Sequence, residues 1–438
     1  MSAEMRSGRS IAAVLAMCAV ALPGCGGGGS ETTSGGSGTP AAVAPTAQWP
    51  FFGRVPERTH YIADAPDPPF RFAWVFFAHQ LIEFPPALTN DGLFLANKAG
   101  GVYALDTSDG KLRWRRDLGR DVTGPASAGG LVYVAQLGGD FVALDAKSGK
   151  DRWSFHAPSQ LESSPLAVGK QVYFGSDGGT LWALDANTGK VAWKRNLGAP
   201  IKASPSYHHG VLYVGDYRGR IHALSAADGR VRWRRNTGGN AGFYSSAAIA
   251  FGHVYEARSD GAVFALSLNG RPAWRFTAGN SIYSSPALAD LPGAGPMLFV
   301  GSYNHRLYAL DATNGRRRWS YDVGGQVPGS PTVVGTTVYT SSFDTKKTVG
   351  LDARSGEPVW TWGSAGYDPM VSDGSRVFLS GFQTLWAFDD CLPPGRARER
   401  TGGPASLPVC KRSADLHLVD VQRALRVDRP VSSAARSG

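Results

Sequence analysis

The sequence predicts an all-β fold: an eight-bladed β-propeller of four-stranded antiparallel blades, its ring closed by an N-terminal outer strand. Three observations carry this reading. A segment built around Ala-Leu-Asp and ending in Trp recurs at a period near 40 residues. Each period holds four short strand-like runs parted by turn signals. The last copy stops before its Trp, and a lone strand ahead of the first copy supplies what it lacks. Composition agrees, with 56 Gly, 12 Trp and 20 Phe among 438 residues and only 18% charged, the balance of a turn-rich, aromatic-rich sheet protein.

The chain opens with a targeting segment. Arg6 and Arg9 precede an apolar run from Ile11 to Leu22, too short for a bilayer span of about 20 residues. The run ends in Leu22-Pro23-Gly24-Cys25, which resembles a bacterial lipobox and marks Cys25 for lipidation; the competing reading is an ordinary secretory signal with a chance cysteine. Residues 26–48 are Gly-, Ser-, Thr-, Ala- and Pro-rich with one charge, Glu31, a composition that buries no core and acts as a tether. The expected organisation is a signal peptide over 1–25, a tether over 26–48, the propeller over 49–390 and a basic tail over 391–438.

The repeat follows. Copies such as VYALDTSDGKLRW, LWALDANTGKVAW and LYALDATNGRRRW place tryptophans at Trp74, Trp114, Trp153, Trp193, Trp233, Trp274, Trp319 and Trp360, with gaps of 39 to 41 residues and one of 45. In the third period the strand-like runs cover 163–169, 171–177, 179–186 and 190–197, divided by Gly169-Lys170, Asp177-Gly178-Gly179 and Asn187-Thr188-Gly189. Helical periodicity is absent, which sets aside a solenoid. The copy LWAFDDC lacks an outer strand, and FRFAWVFF near the start is an outer strand without inner ones; pairing them closes the ring and leaves no blade incomplete. The innermost strand recurs eight times, mostly as a small residue followed by Pro, at Pro86, Pro125, Pro165, Pro205, Ala247, Pro286, Pro331 and Pro369, as suits a crowded axis.

Each Trp is the largest apolar residue of its unit and is expected to pack between blades as a structural girdle. The glycine four residues before it, for example Gly189, turns the chain at positive φ, and the Asp, for example Asp185, accepts turn amides. These residues resemble the PQQ-like β-propeller repeats, and the resemblance covers about residues 49 to 390. It implies that the motif locks blades together and binds no cofactor. Ser225 and Ser267 replace the Asp in blades four and five, where a weaker girdle is expected. The quinoprotein dehydrogenases that share these repeats also carry adjacent cysteines above the quinone, a carboxylate–Asn calcium site and a catalytic Asp on long insertions. This chain has no Cys-Cys pair and uniformly short loops, so no enzymatic activity, catalytic residue, cofactor or metal site is expected. His208 and His209 read as solvated turn residues, and Asp216, Asp260 and Asp344 as turn acids on one face.

The lipobox, the tether, eight blades and the entry WPFFGRVPERT (49–59) are similar to the BamB family of outer-membrane assembly lipoproteins. The resemblance implies a non-catalytic extracytoplasmic scaffold, anchored to the membrane by its lipid and monomeric, that presents a propeller to unidentified envelope proteins. The alternative is a ligand-binding or PQQ-dependent dehydrogenase-like propeller. In an oxidising compartment Cys391 and Cys410 read as a disulfide, with free thiols or a metal pair as the other readings. Removing Arg6, Arg9 and Glu4 takes the net charge from +10 to +9. Cations such as Arg116, Arg152, Arg234 and Arg318 flank the girdle tryptophans as a basic outer belt, either to protect strand edges or to attract anionic envelope polymers. Nucleic acid is not an expected partner of an exported chain.

Overall fold

The computed structural model describes residues 48–364, 366, 367 and 370–391. Cys25, Pro369 and Cys410 lie outside them; Cys391 is disulfide-bonded. The described chain forms eight sheets arranged as an eight-bladed β-propeller, each of four antiparallel strands, with Tyr61–Ile62 added to one as a fifth strand parallel to Thr332–Val334. Blade three consists of Leu166–Val168, Gln171–Gly175, Thr180–Asp185 and Val191–Asn196 from axis to rim. The middle strands read as continuous apolar runs, such as Leu131–Ala135 and Gly101–Leu105, because neighbouring blades cover both of their faces and every side chain is buried. Outer strands such as Val231–Asn236 alternate between exposed and half-buried residues.

Blade eight joins the two ends of the chain. Its inner strands are Met370–Ser372, Arg376–Ser380 and Thr384–Asp390, and its outer strand is Phe70–Phe77. Trp74 stands opposite Ala387 and Phe77 opposite Thr384. The ring is therefore closed by the N-terminal outer strand.

The outer pair of every blade carries a register shift immediately before the Trp, as between Ala183 and Leu184 in blade three. A bulge turns the following side chain out of the sheet's own alternation. Here it aims each indole at the next blade. Trp153 Nε1 donates to the Ala186 carbonyl at 3.0 Å, Trp193 to Ala226 at 2.9 Å and Trp74 to Thr107 at 3.1 Å. Tyr133 and Tyr173, on second strands, donate to the same Ala186 and Ala226 carbonyls at 3.1 and 3.2 Å. The indole lies flat on the next turn's glycine: a Cβ on Gly229 would stand 2.5 Å from Trp193 Cε3, and Gly229 has φ +67°. Only glycine meets both conditions.

Trp233 still bonds the Leu268 carbonyl at 2.8 Å. The acceptor is backbone, so replacing Asp by Ser at 225 and 267 leaves the girdle geometry of blades four and five intact. In the other turns the Asp caps amides, as Asp185 does for Asn187 and Thr188 at 3.1 and 2.9 Å. Among the described residues blade eight has no such turn, and Trp360 packs instead among Phe70, Tyr339, Trp362 and Phe388, with centroids 5.7 to 6.1 Å away.

The axis is not open. Residues 49–62 run past the innermost strands one blade at a time, and their carbonyls accept one amide after another. Trp49, Pro50, Pro56, Glu57, Thr59, His60 and Ile62 take bonds from Leu88, Ser127, Tyr207, Ile249, Leu288, Val333 and Gly335 at 2.7 to 2.9 Å. Each innermost strand would otherwise leave its inner edge unpaired in a water-poor channel. Blade three is reached by a side chain. Arg58 is fully buried, and its Nη2 lies 3.4 and 3.5 Å from the Ser164 and Pro165 carbonyls. Its Nε donates to the Pro205 carbonyl at 2.7 Å, and its Nη1 to the Phe52 carbonyl. Burial lowers the guanidinium to about 9, so it remains charged at neutral pH. His60 is pushed down to about 3, first by burial and then by Arg58, and is neutral.

Candidate functional site

In an antiparallel blade the turns between second and third strands share a face with the links between blades. At the axis these segments enclose a cavity of about 340 Å³. Phe52, from the axial segment, and Phe84 line it, with Tyr217, Tyr244, Tyr283, Tyr303 and Tyr367 around them. The tyrosines meet edge to face: Tyr244 and Tyr283 lie 5.8 Å apart, Tyr283 and Tyr303 5.0 Å. Phe343 continues the aromatic wall to Tyr367 at 4.7 Å and to Phe382 at 5.7 Å.

A serine belt lies beneath. The backbone N–H groups of Ser164, Ser204, Ser246 and Ser285 donate in turn to the Oγ atoms of Ser204, Ser246, Ser285 and Ser330, at 2.9 to 3.1 Å. Most of these serines precede the prolines that open the innermost strands. Proline holds its predecessor extended, which presents each hydroxyl to the blade before. The small-residue–Pro pattern is thus an inter-blade joint as well as a relief of crowding. Blade two has Gly124 at this level, where an added Cβ would stand 2.8 Å from Phe84 Cβ.

Two acid–lysine groups stand at the mouth. Lys202 Nζ is 2.5 Å from Glu162 Oε1 and 3.5 Å from Asp177 Oδ2, and lies 5.5 Å from the Tyr217 ring centre and 6.0 Å from that of Tyr244. Tyr244 donates its hydroxyl to Glu162 Oε2 at 2.9 Å. Lys98 bridges Glu83 at 2.7 Å and Asp121 at 2.9 Å. Burial works against the charge on Lys202, but the bond to Glu162 and the charge of Asp177 hold its pKa above the ordinary value. Burial, followed by Glu162, raises Asp177.

Blades four and five share a second polar cluster. Asp216 is completely buried and accepts from His222 Nε2 at 2.8 Å and Arg220 Nε at 2.6 Å. Across the joint Glu256 stands where blades three, four and six have Phe174, Val214 and Val300. Its carboxyl lies against Gly215, and neither oxygen makes a hydrogen bond of normal geometry. Burial, followed by the charge of Asp216, raises its pKa well above the usual carboxylate range. A carboxyl whose folded pKa exceeds its unfolded one stabilises the fold at low pH, and this contribution is lost as pH rises above the unfolded value. Glu256→Gln is therefore expected to raise the melting temperature at pH 8, with the gain shrinking toward pH 4; melting curves across that range check the sign.

Asp216 and Asp260 serve their own turns, and Asp344 ties its turn to the link between blades six and seven. Asp216 also accepts the Arg218 and Arg220 amides, Asp260 pairs with Arg258, and Asp344 accepts the Gln326 amide at 2.8 Å. His208 differs from expectation: it is half-buried, with Nδ1 3.1 Å from Glu57 of the axial segment. The outer belt is exposed but partly neutralised, by Arg116–Asp151 at 2.7 Å, Arg152–Asp145 at 3.2 Å and Arg318–Asp311 at 2.5 Å.

The family model described as outer membrane protein assembly factor BamB matches residues 76–179, 98–241 and 259–390, which together span most of the ring. The chain belongs to the BamB family. A BamB of Vibrio cholerae is 32% identical over 93 residues, 19% of this chain and 24% of that protein. The match thus spans about a quarter of that relative's length. The crystal structure of BamB from Moraxella catarrhalis superposes with a TM-score of 0.61 at 19% identity, covering 74% of this chain and 98% of that one. A quinohemoprotein alcohol dehydrogenase from Comamonas testosteroni gives 0.68 at 16% identity, with 82% of each chain covered. At such identities the structural likeness concerns the fold alone.

The dehydrogenase neighbour raises the question of a quinone in the mouth. Pyrroloquinoline quinone is a planar tricarboxylate and calls for guanidinium or ammonium partners. The charged residues lining this cavity are Glu83, Glu162 and Lys202, and Lys202 is already bound to Glu162. That donor set does not fit the group.

Proposed function

We propose that the chain is a non-catalytic extracytoplasmic lipoprotein scaffold, anchored through Cys25, that presents its propeller to protein partners in outer-membrane or envelope assembly. The observation that carries this reading is the filled axis. Small-molecule sites favour deep, preformed concavities, and residues 49–62 with Arg58 occupy the place where a ring of blades would offer one. What remains exposed is an aromatic mouth, short loops and a charged rim, the materials of a protein-binding surface. Membership of the BamB family supports the same reading.

Crosslinking and pull-down of the lipidated protein from its native envelope is the decisive experiment. Capture of an envelope assembly protein is expected. A retained quinone absorbance, or dye reduction with an alcohol or a sugar, would overturn the reading in favour of a redox propeller. Cys25→Ala is expected to move the protein into the soluble fraction, and unchanged membrane association rejects the anchor. The Cys391–Cys410 pairing is part of the proposal and is checked by peptide mapping without reduction.

A further inference from the structure

We propose that the axial mouth is a receptor for a basic side chain, lysine or arginine, carried on an extended segment of a partner polypeptide. The inference rests on the protein-partner reading and names the chemistry of the partner at this place.

The exposed large hydrophobic residues of the described chain divide in two. The aliphatic ones, Leu112, Val191, Val231 and Val359, lie in outer strands. The aromatic ones, Tyr217, Tyr244 and Phe382, are 42%, 38% and 50% exposed and all belong to the mouth. Exposed aromatic side chains gathered at one concavity mark an interaction site rather than scattered surface. Tyrosine is suited to such sites, because it gives a large rigid contact at a low cost in conformational freedom.

Charge selects the occupant. The protein as a whole is strongly basic, yet the cavity is lined by two carboxylates, Glu83 and Glu162, against one lysine, Lys202, with Asp121 and Asp177 behind them in the ion pairs of Lys98 and Lys202. A concavity of one sign focuses its field on ligands of the other. The Asp121 Oδ1 and Asp177 Oδ1 atoms are buried and have no hydrogen-bond partner among the described residues. The molecule itself shows what the mouth holds. Lys202 places an ammonium against a carboxylate and beside two tyrosine rings, the arrangement in which aromatic faces and carboxylates recognise cations. A second cation from outside would meet Glu83 and the remaining tyrosines, with Asp121 and Asp177 adding negative charge from behind. The cavity of about 340 Å³ admits one or two side chains and no folded element, and the partner segment that delivers them must be extended.

The test uses the full-length protein and a fluorescein-labelled peptide of alternating Lys and Ala, followed by anisotropy at two salt concentrations. Binding weakened by salt is expected. The same peptide with acetylated lysines is expected to bind at least tenfold more weakly. Glu83→Gln and Tyr217→Ala are each expected to weaken binding about five- to tenfold, as loss of a charged or aromatic partner should. Asp228→Asn, on the far rim, should change nothing. Near-ultraviolet circular dichroism of each variant reports whether the ring is intact, and Glu83→Asp keeps the charge as a rescue. Equal binding of the acetylated peptide, or mouth variants that bind like wild type, would overturn the inference. So would displacement by free spermidine at the affinity of the peptide, since the mouth would then be a site for small cations. If the mouth variants still capture the envelope partner as well as wild type, this inference fails and the scaffold reading stands. If no partner is captured by any form, the scaffold reading itself fails.

Discussion

Arg58→Ala is expected to lower the unfolding free energy by about 3–5 kcal/mol, more than any other single change in the axial segment. The side chain is fully buried, and its donors serve four carbonyls, on Phe52, Ser164, Pro165 and Pro205. Truncation removes the packing against Phe51 and Phe52, whose ring centres lie 5.9 and 5.6 Å from the guanidinium carbon. It also orphans those carbonyls in a dry place. Relief of the buried charge offsets part of the loss, since no carboxylate pairs with it among the described residues. Arg58→Met separates the two causes, because it keeps the stem and removes the donors. The expected order of denaturant midpoints is wild type, then Met, then Ala, at unchanged slope. A loss under about 1 kcal/mol for Ala would mean that the channel relaxes around the vacancy, and that the segment is held by its backbone bonds alone.

The residues explain why blades were legible in the sequence and the axis was not. Blade count, the closing strand and the girdle all rest on a pattern written many times over, so each copy corrects the reading of the others. Trp193, the bulge before it and Gly229 act across neighbouring repeats, and period alone reveals such a joint. The axial segment occurs once. Arg54, Arg58 and His60 adopt positive φ at 73°, 52° and 51°, conformations that no local pattern in WPFFGRVPERT announces. Its backbone hydrogen bonds go to six blades whose sequence distance grows at each step, and Arg58 reaches a seventh. One signal was present: Trp49, Phe51 and Phe52 are three large apolar residues ahead of the repeats with no strand of their own, and such residues must be buried by something. The mouth was harder still. Its tyrosines occupy loop positions that differ between blades, and the acid–lysine groups pair residues as distant as Glu162 and Lys202. The serine belt is half visible in sequence, since a small residue before Pro reveals its size and not which blade its hydroxyl meets.

Trp74→Ala is expected to cost about 3–5 kcal/mol and to open the ring at one place. The indole is 7% exposed, donates to Thr107 in blade one, covers Gly110 and touches Phe378 with ring centres 5.8 Å apart. Trp193→Ala removes a chemically similar joint from an unbroken run of chain, where the indole is only half-buried. The difference lies in connectivity. The outer strand of blade three follows its neighbours through a short turn, whereas Phe70–Phe77 reaches Thr384–Asp390 only by closing a loop of most of the molecule. Once lost, that closure carries the entropy of the whole intervening chain. The aromatic cluster of Phe70, Phe72, Trp360, Trp362, Trp386 and Phe388 gathers at this seam, where the missing girdle turn leaves Trp360 without its usual acceptor. Hydrogen exchange should therefore rise first in Phe70–Phe77 and Met370–Ser380 for Trp74→Ala, before the global transition. Trp193→Ala should shift protection across the ring together. Uniform exchange in both variants would show that closure strand and interior blades unfold as one unit, and that the seam is no weaker than any other joint.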